Sequence, residues 1–253
     1  MTGVWQAGFW GFVGGSALVL GALLGWFVQL PQRMIAAIMA VGSGILISAV
    51  AFDLMDEAFR EGGMDSTAAG FLGGAVLYTI ANIAISRQGA KHRKRSGFNP
   101  KASQPSADAD GGVAIAVGAL LDGIPESVVI GVSLLDGTGV SLVAVAAVFL
   151  SNVPEGLSSA AGMKRAGRSP AYVFGVWGMI ALASGLAAML GNFALAGAPP
   201  DLIAATMALA AGAILAMLVD TMIPEATEAS HDYSGLIAVV GFLLAFILSK
   251  MGG

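Results

Sequence analysis

Two short phrases interrupt the apolar sequence in the middle of the chain. Residues 121–127 read LDGIPES, and residues 150–156 read LSNVPEG. Each phrase places polar side chains, then an aliphatic residue, then Pro-Glu, inside an otherwise hydrophobic run. Carboxylate and amide side chains at bilayer depth are costly, and they commonly mark the path of a substrate. The stretch 113–163, which contains both phrases, therefore carries most of the information about fold and function.

The composition of the whole chain is typical of a helical membrane protein. Of the 253 residues, 57% are hydrophobic and only 11% are charged, and the mean hydropathy is +0.82. A soluble domain has about a quarter of its residues charged, and continuous apolar runs indicate transmembrane helices rather than alternating strands. There is no cysteine, which excludes disulfides and thiolate metal sites. We expect one membrane domain over residues 1–253, without a cleavable signal peptide.

Eight apolar segments are each long enough to cross a bilayer, which requires about 20 residues. The fold class predicted is an all-α integral membrane protein, and its lipid partner is the bilayer. One connection, residues 87–111, is long, basic and then polar, which predicts a flexible loop. The predicted spans are about 6–29, 33–59, 66–86, 112–135, 140–163, 169–196, 200–227 and 233–250.

The distribution of basic residues predicts the orientation. With eight spans, one set of loops holds ten of the 12 Lys and Arg residues, and the other set holds only Arg60 and Lys250. The positive-inside rule then puts both termini outside and the 87–111 loop in the cytoplasm. We expect a multi-pass protein of the inner (plasma) membrane. The basic cluster is interpreted as a topology determinant, with nucleic-acid or regulatory binding as the alternatives, and no nucleic-acid partner is predicted.

An internal repeat relates the two ends of the chain. A single constant offset in residue number aligns five positions without a gap: Gly44, Glu57, Ala58, Ser66 and Gly73 match Gly212, Glu225, Ala226, Ser234 and Gly241. The aligned spans would run in opposite directions, so the repeat is predicted to be inverted, as in many transporters. The expected architecture is a 3+2+3 arrangement, in which spans 1–3 and 6–8 flank the two Pro-Glu spans.

The two central phrases supply candidate ligands for a cation. Asp122 and Glu126 are four residues apart and share one helix face, and Ser151 and Glu155 do the same on the next span. Asn152 lies beside the second pair. Carboxylate, amide and hydroxyl oxygens on two neighbouring spans predict a site for a cation, although a membrane serine often bonds back to its own helix instead.

The proline of each phrase is expected to add a further ligand. Pro125 cannot donate a hydrogen bond to Leu121, nor Pro154 to Leu150, so each helix should bend and leave a carbonyl oxygen free. A proline that only bends its helix is the alternative. No Lys or Arg lies in the core of any predicted span, so the carboxylates have no counter-charge there. Without a cation, buried carboxylates would be protonated or strongly unfavourable.

Other polar residues lie nearer the ends of the spans. Asp53 is predicted on the outer approach to the site and Asp220 on the inner exit, and His231 is a candidate exit ligand. Asn82 is expected to contact neighbouring helices or the site. The remaining acids at span ends are interpreted as solvated: Asp56, Glu57, Glu225, Glu228 and Asp232.

These phrases resemble the ZIP family (Zrt/Irt-like proteins) of divalent metal transporters, whose fourth and fifth spans carry phrases of the His-Asn-x-Pro-Glu-Gly type. Residues 219–226, VDTMIPEA, also resemble the seventh span of that family, and the order of spans around a long cytoplasmic loop is similar. The resemblance implies a metal site between spans four and five, with ligands also from span two. It implies inward transport by one helix bundle sliding against another, often in a homodimer.

The chain departs from the family at the residues that would bind the metal. Asp122 and Gly123 stand where the family usually has His and Asn, and Ser151 stands at the histidine position of the fifth span. The predicted site therefore contains no imidazole. Zinc favours nitrogen and sulfur but accepts carboxylate, whereas manganese, magnesium and calcium prefer oxygen.

The function predicted is transport of a divalent transition-metal cation, not enzymatic catalysis. Zinc is favoured by the resemblance, and manganese, iron or cadmium are further candidates. The metal is a substrate, and no cofactor is expected. Two alternatives stay open: a homologue that binds or senses a metal without transporting it, and an intramembrane metal-dependent hydrolase, for which no His-containing motif occurs.

Overall fold

The computed structural model is all-α and describes residues 2–87, 95–96, 109–135, 139–228 and 232–251. Two short π-helical segments, here named π1 and π2, interrupt the regular helices. The elements are α1 Thr2–Phe27, α2 Gln32–Ala49, π1 Val50–Leu54, α3 Met55–Ser86, α4 Ala109–Val132, α5 Leu142–Arg165, α6 Pro170–Leu195, α7 Pro200–Met217, π2 Leu218–Met222, α8 Ile223–Glu228 and α9 Ser234–Met251.

Six helices in the described residues are long and apolar enough to cross a membrane, which confirms the prediction of an all-α, multi-pass membrane protein. They are Gly3–Phe27, Gln32–Ser86, Leu142–Arg165, Pro170–Leu195, Pro200–Glu228 and Ser234–Met251. The helix Gln32–Ser86 contains both the second and the third predicted span. The fourth predicted span corresponds to α4, which is not among the six.

The helix Gln32–Ser86 is much longer than one crossing of the bilayer requires. Its 55 residues would extend about 80 Å at 1.5 Å per residue, against about 30 Å of hydrocarbon. Gly63 interrupts it with φ 70° and ψ −171°, a conformation that glycine adopts at little cost because it lacks a Cβ atom. The sequence predicted a connection between residues 59 and 66. The break at Gly63 lies inside that predicted connection, which is shorter than predicted because the residues on both sides of Gly63 are helical.

Local sequence sets the ends of the helices around α5. Ser141 caps α5 by accepting a hydrogen bond from the Ala144 amide at 3.1 Å, as an N-cap serine does. At the other end, Gly167 has φ 80° and the amide of Arg168 donates to the Met163 carbonyl at 3.0 Å. This is the usual glycine termination of a helix. The helix that carries the second Pro-Glu phrase is therefore fixed at both ends.

The helices pack in two groups. In the first, α1 packs on α5 and α6, and α4 packs on α6. In the second, α3 packs on α7, and α2 packs on α9. The groups meet mainly where α2 contacts α5 and where α4 contacts α7. The candidate ligands on α4 and α5 thus belong to the first group, on the helices where the two groups meet.

Glycines let α1 approach α5 at backbone distance. A Cβ atom built on Gly21 would lie 2.2 Å from the Val153 carbonyl oxygen, and one on Gly156 would lie 2.1 Å from the Leu18 carbonyl oxygen. Small residues at helix interfaces in membranes give this kind of close packing. Because Val153 and Gly156 flank Pro154 and Glu155, the packing holds the second phrase firmly against α1.

The two π segments occupy equivalent positions in the internal repeat. π1 covers Val50–Leu54 and π2 covers Leu218–Met222. The first residues of the two segments, and likewise the last, are related by the same offset that aligns Gly44 with Gly212 in the sequence. The residues that contact two aligned glycines are also related by this offset, to within one residue. Gly44 lies against the Ala238 carbonyl, and its repeat counterpart Gly212 lies against the Phe71 carbonyl. π segments are rare and often occur at functional sites.

Candidate cation site

The polar residues of both central phrases are buried. The exposed fraction is 2% for Asp122, 2% for Glu126, 1% for Ser151, 3% for Asn152 and 3% for Glu155. Both helices continue through their prolines. Three carboxylates inside an apolar bundle need protons, hydrogen bonds or cations around them, so the contacts of each residue decide what this region can do.

The two phrases do not face each other across a broad helix–helix interface. α4 and α5 touch only sparsely, and each packs mainly on other helices. The two spans are neighbours, as predicted, but their contact is small. Asn152 is turned toward α1, where its amide nitrogen donates to the Gly14 carbonyl at 3.1 Å. This contact engages the amide nitrogen and not the oxygen atom that would bind a cation.

A tyrosine on α3 contacts the first phrase. The Tyr78 hydroxyl donates to Oδ1 of Asp122 at 3.0 Å, and the Tyr78 side chain is only 2% exposed. A hydrogen bond to a buried carboxylate stabilises its charged form and fixes its orientation. Tyr78 was not among the residues predicted from the sequence. In the sequence, Tyr78 stands out as a phenol in the middle of an apolar span. It precedes Asn82 by four residues, and therefore the two side chains share one helix face.

Asp53 and Glu126 lie on one small cavity. The cavity has a volume of about 20 Å³, and it is formed by α2, π1, α4, α5 and α7. This volume is about the minimum that holds one water molecule. The other described residues that line it are apolar, among them Leu46, Ala147 and Ile214. The structure thus brings the predicted outer-approach residue to the predicted central site. Asp53 also accepts a hydrogen bond from Ser249 of α9.

One face of α5 continues from this cavity into the bundle. Val148 lines the cavity, and Ser151, Glu155 and Ser158 follow at spacings of three, four and three residues, so they lie on the same face. All three are at most 3% exposed. From Val148 to Ser158 the helix rises about 15 Å. This face is a buried polar stripe from the cavity toward the end of α5.

The stripe ends at Glu225, which was interpreted from sequence as solvated. That interpretation was wrong, because Glu225 is 0% exposed. Its Oε1 accepts hydrogen bonds from the Ser158 hydroxyl at 3.0 Å, from the Ser96 amide at 2.8 Å and from the Ser96 hydroxyl. The signal in the sequence was the phrase Ile223-Pro224-Glu225, which repeats the pattern of Ile124-Pro125-Glu126.

Two residues of the predicted flexible loop complete this inner cluster. Ser96 is fully buried, and Arg95 pairs with Glu228 and lies 3.6 Å from Oε2 of Glu225. For these two residues the expectation of a flexible loop was wrong, since the acids of α8 hold them against the bundle. Glu228, interpreted as solvated, is instead ion-paired. The loop residues 88–94 and 97–108 lie outside the described residues.

The remaining predicted site residues lie apart from the buried stripe or make local contacts. Asp220 is in π2 and exposed, and it accepts a hydrogen bond from Asn82 at 3.2 Å, which confirms that Asn82 contacts a neighbouring helix. Ser151 donates to the Val148 carbonyl of its own helix at 2.9 Å, the alternative noted above. His231 lies outside the described residues. The other acids include Asp56, which pairs with Arg60 at 2.7 Å.

No three His, Cys, Asp or Glu side chains lie close enough together to hold a metal ion, within the part of the chain that the structure describes. The predicted ligand residues lie on α4, α5 and the wall of the small cavity. In this arrangement they do not form a complete coordination shell for a metal ion. Comparison of the chain with models of known protein families gave no match, and comparison with curated proteins gave none either.

Proposed function

We propose that this protein transports a divalent transition-metal cation across the membrane. The observation that carries the proposal is the burial of Asp122, Glu126 and Glu155, each at most 3% exposed, in helices whose apolar stretches contain no Lys or Arg. Burying a carboxylate is costly even when it is hydrogen-bonded, and three of them in an apolar bundle are more than helix packing requires. A cation that passes along them offsets that cost.

The proposed path follows the buried stripe of α5. Cations would enter beside Asp53, meet Glu126 at the small cavity, and move past Asp122, Ser151 and Glu155. Asn152 of the same turn would supply its amide oxygen, since its hydrogen bond to Gly14 of α1 uses the nitrogen atom. A cargo ion must leave its site as well as enter it, so strong permanent ligation would oppose transport. The proposal requires these ligands to gather around the ion as it passes.

The proposed architecture is eight spans in a 3+2+3 arrangement with an inverted repeat of spans 1–3 and 6–8. Gly63 would separate the second and third spans within the helix Gln32–Ser86, and α4 would be the fourth. The matched π segments support the repeat, because related halves of a transporter often share irregular helices near the substrate.

The contacts between loops support the proposed orientation. Gln32, which precedes the second span, bonds to Ser96 of the long loop at 2.7 Å and to Arg165 at the end of α5 at 2.7 Å. These three regions belong to the set of loops that holds ten of the 12 basic residues. By the positive-inside rule this end is cytoplasmic and the termini are outside, in an inner (plasma) membrane. The homodimer implied by the ZIP resemblance stays a prediction.

The identity of the cation rests on two arguments that point in different directions. The resemblance to the ZIP family favours zinc. The ligand set contains only oxygen atoms, because Asp122 and Ser151 stand at the histidine positions, and oxygen ligands favour harder ions such as manganese. We propose zinc as the first ion to test, followed by manganese, iron and cadmium.

Metal uptake into proteoliposomes tests the proposal. Purified protein would be reconstituted and offered zinc, manganese, iron, cadmium and magnesium separately. We expect uptake of at least one ion, loss of that uptake in Glu126→Ala and Glu155→Ala, and normal uptake in Glu61→Ala, which removes an exposed acid. Binding of an ion without uptake would favour the sensor alternative. Uptake that survives both substitutions would refute the proposed path.

A further inference from the structure

A cavity of about 430 Å³ opens where α1 ends, α2 begins and α5 ends. It is separate from the cation path. Its inner lining is apolar and buried, with Ile35, Leu157 and Ala161 at most 7% exposed. Its outer lining includes the exposed cations Lys164 and Arg165. A pocket of this volume, with an apolar interior and a charged mouth, has the size and character of a ligand site.

Neighbouring groups hold the two cations at the mouth of the cavity. The Lys164 ammonium donates to the Trp26 carbonyl and lies 5.3 Å from the centre of the Trp26 ring. The Arg165 guanidinium donates to the Gln32 side-chain oxygen at 2.7 Å. None of the described residues that line the cavity is acidic, and Glu225, whose charge acts on Arg165, is not among them, so the mouth attracts an anion.

The start of α2 adds to this attraction. Leu30 and Ile35, which flank the first turn of α2, both line the cavity. The N-cap of α2 is Pro31, whose side chain makes no capping hydrogen bond. An uncapped helix N-terminus carries amide donors and the positive end of the helix dipole, both of which favour an anion such as a phosphate.

The position of the cavity matches the membrane interface. Aromatic residues lie near it, at the last turn of α1 and the first turns of α6: Phe174 contacts Trp26 at 6.1 Å and Phe27 at 6.2 Å between ring centres. Tryptophan and other aromatic residues are enriched at this level of a membrane. The charge distribution puts this end of the bundle on the cytoplasmic side, where anionic lipids attract basic residues.

We infer that this cavity binds an anionic phospholipid. The phosphate would lie between Lys164, Arg165 and the first turn of α2, and an acyl chain would occupy the apolar interior beside Ala161. Such a lipid would join α1, α2 and α5, and therefore the two helix groups, at their cytoplasmic end. The inference concerns a bound lipid and holds whether or not the protein transports a cation.

Lipid titration of the delipidated, full-length protein tests the inference. In an uncharged detergent, dioleoyl-phosphatidylglycerol should bind, as read by native mass spectrometry, and should raise the melting temperature, whereas dioleoyl-phosphatidylcholine should do so much less. The double variant Lys164→Gln/Arg165→Gln should bind phosphatidylglycerol about 30-fold more weakly. Lys250→Gln removes a cation at the opposite end of the bundle and should bind like the unaltered protein.

Further arms separate a lipid from a free anion. Ala161→Phe fills the apolar interior but keeps both cations, so it should weaken phosphatidylglycerol binding as well. Inorganic phosphate and soluble glycerophosphoglycerol should not displace the lipid at equal concentration. Equal binding of phosphatidylcholine, unchanged binding in the double variant and in Ala161→Phe, or full displacement by phosphate would each overturn the inference.

Discussion

Glu126 and Glu225 end the same three-residue phrase, Ile-Pro-Glu, and both are at most 2% exposed, but their surroundings differ. Glu126 lies on a small cavity whose other described lining residues, apart from Asp53, are apolar. Glu225 lies in a polar cluster with Ser158 and Ser96, and Arg95 is 3.6 Å away.

The difference shows that the phrase alone does not define a role. A carboxylate that borders an apolar cavity would meet a cation by turning its oxygens into it, and no described residue that lines the cavity carries a positive charge that would compete with the ion. A carboxylate with three hydrogen bonds and a guanidinium is suited to hold helices and a loop together. The buried polar stripe of α5 connects the two regions, so substitutions along it can test this comparison.

The largest expected effect is a loss of metal uptake when the charge of Glu126 is removed, in contrast to removal of the charge of Glu225. Glu126→Gln keeps the size of the side chain but loses a ligand charge, so metal uptake should fall roughly 100-fold. Glu225→Gln keeps an oxygen atom that accepts the serine hydrogen bonds, so uptake should stay within about threefold. Initial uptake rates in proteoliposomes measure both. Equal losses would mean that both glutamates serve the same role.

The next largest expected effect is a loss of stability when the packing of α1 against α5 is disturbed. α5 is the helix that connects the small cavity with the cluster around Glu225. In Gly156→Val, the added Cβ atom would lie 2.1 Å from the Leu18 carbonyl oxygen, so α1 and α5 must separate. We expect a loss of about 2–3 kcal/mol in the free energy of unfolding, measured by denaturant unfolding in detergent. The control is Gly175→Val, since a Cβ atom at Gly175 meets nothing within 4 Å. Equal stability of the two variants would contradict the observed packing.

A smaller loss of stability is expected when the inner cluster around Glu225 is weakened. Ser158→Ala removes one hydrogen bond to the Glu225 carboxylate and should cost about 1.5 kcal/mol of stability, seen as a lower melting temperature. Ser43→Ala is a matched control, because Ser43 is equally buried but bonds to the Met39 carbonyl of its own helix. If Ser43→Ala proves as costly as Ser158→Ala, the inner cluster has no special structural role.

The smallest effect should come from Asp220. Because this residue is exposed and bonds to Asn82 at 3.2 Å, Asp220→Asn should change the free energy of unfolding by less than about 1 kcal/mol. Uptake should change less than in Glu126→Gln. A loss of uptake as large as that of Glu126→Gln would restore Asp220 as part of the exit path.

Much of the fold could be predicted from the sequence because it depends on local properties. Apolar runs long enough to span a bilayer identified the helices approximately. The two π segments were not predicted, but they are related by the same constant offset as the two halves of the sequence. The break at Gly63 falls inside the predicted connection between spans two and three, but the extent of that connection was overestimated because the residues on both sides of Gly63 form helix.

The candidate site could be predicted only in part. Acids flanked by apolar residues are conspicuous, so Asp122, Glu126 and Glu155 were found, and their burial agrees with the expectation. Tyr78 was missed because its partner, Asp122, is 44 residues away, and no local pattern encodes such a contact. Glu225 was misjudged because its distance from the apolar centre of the span suggested solvent, whereas loop residues cover it.

The sequence by itself determined the class of this protein, the positions of its helices and the costly carboxylates among them, because hydropathy and charge act residue by residue. Only the tertiary structure decided which carboxylates meet an apolar cavity and which meet serines and an arginine. The physical reason is that the free energy of a buried charge depends on the groups packed around it, and in this bundle those groups come from distant parts of the chain.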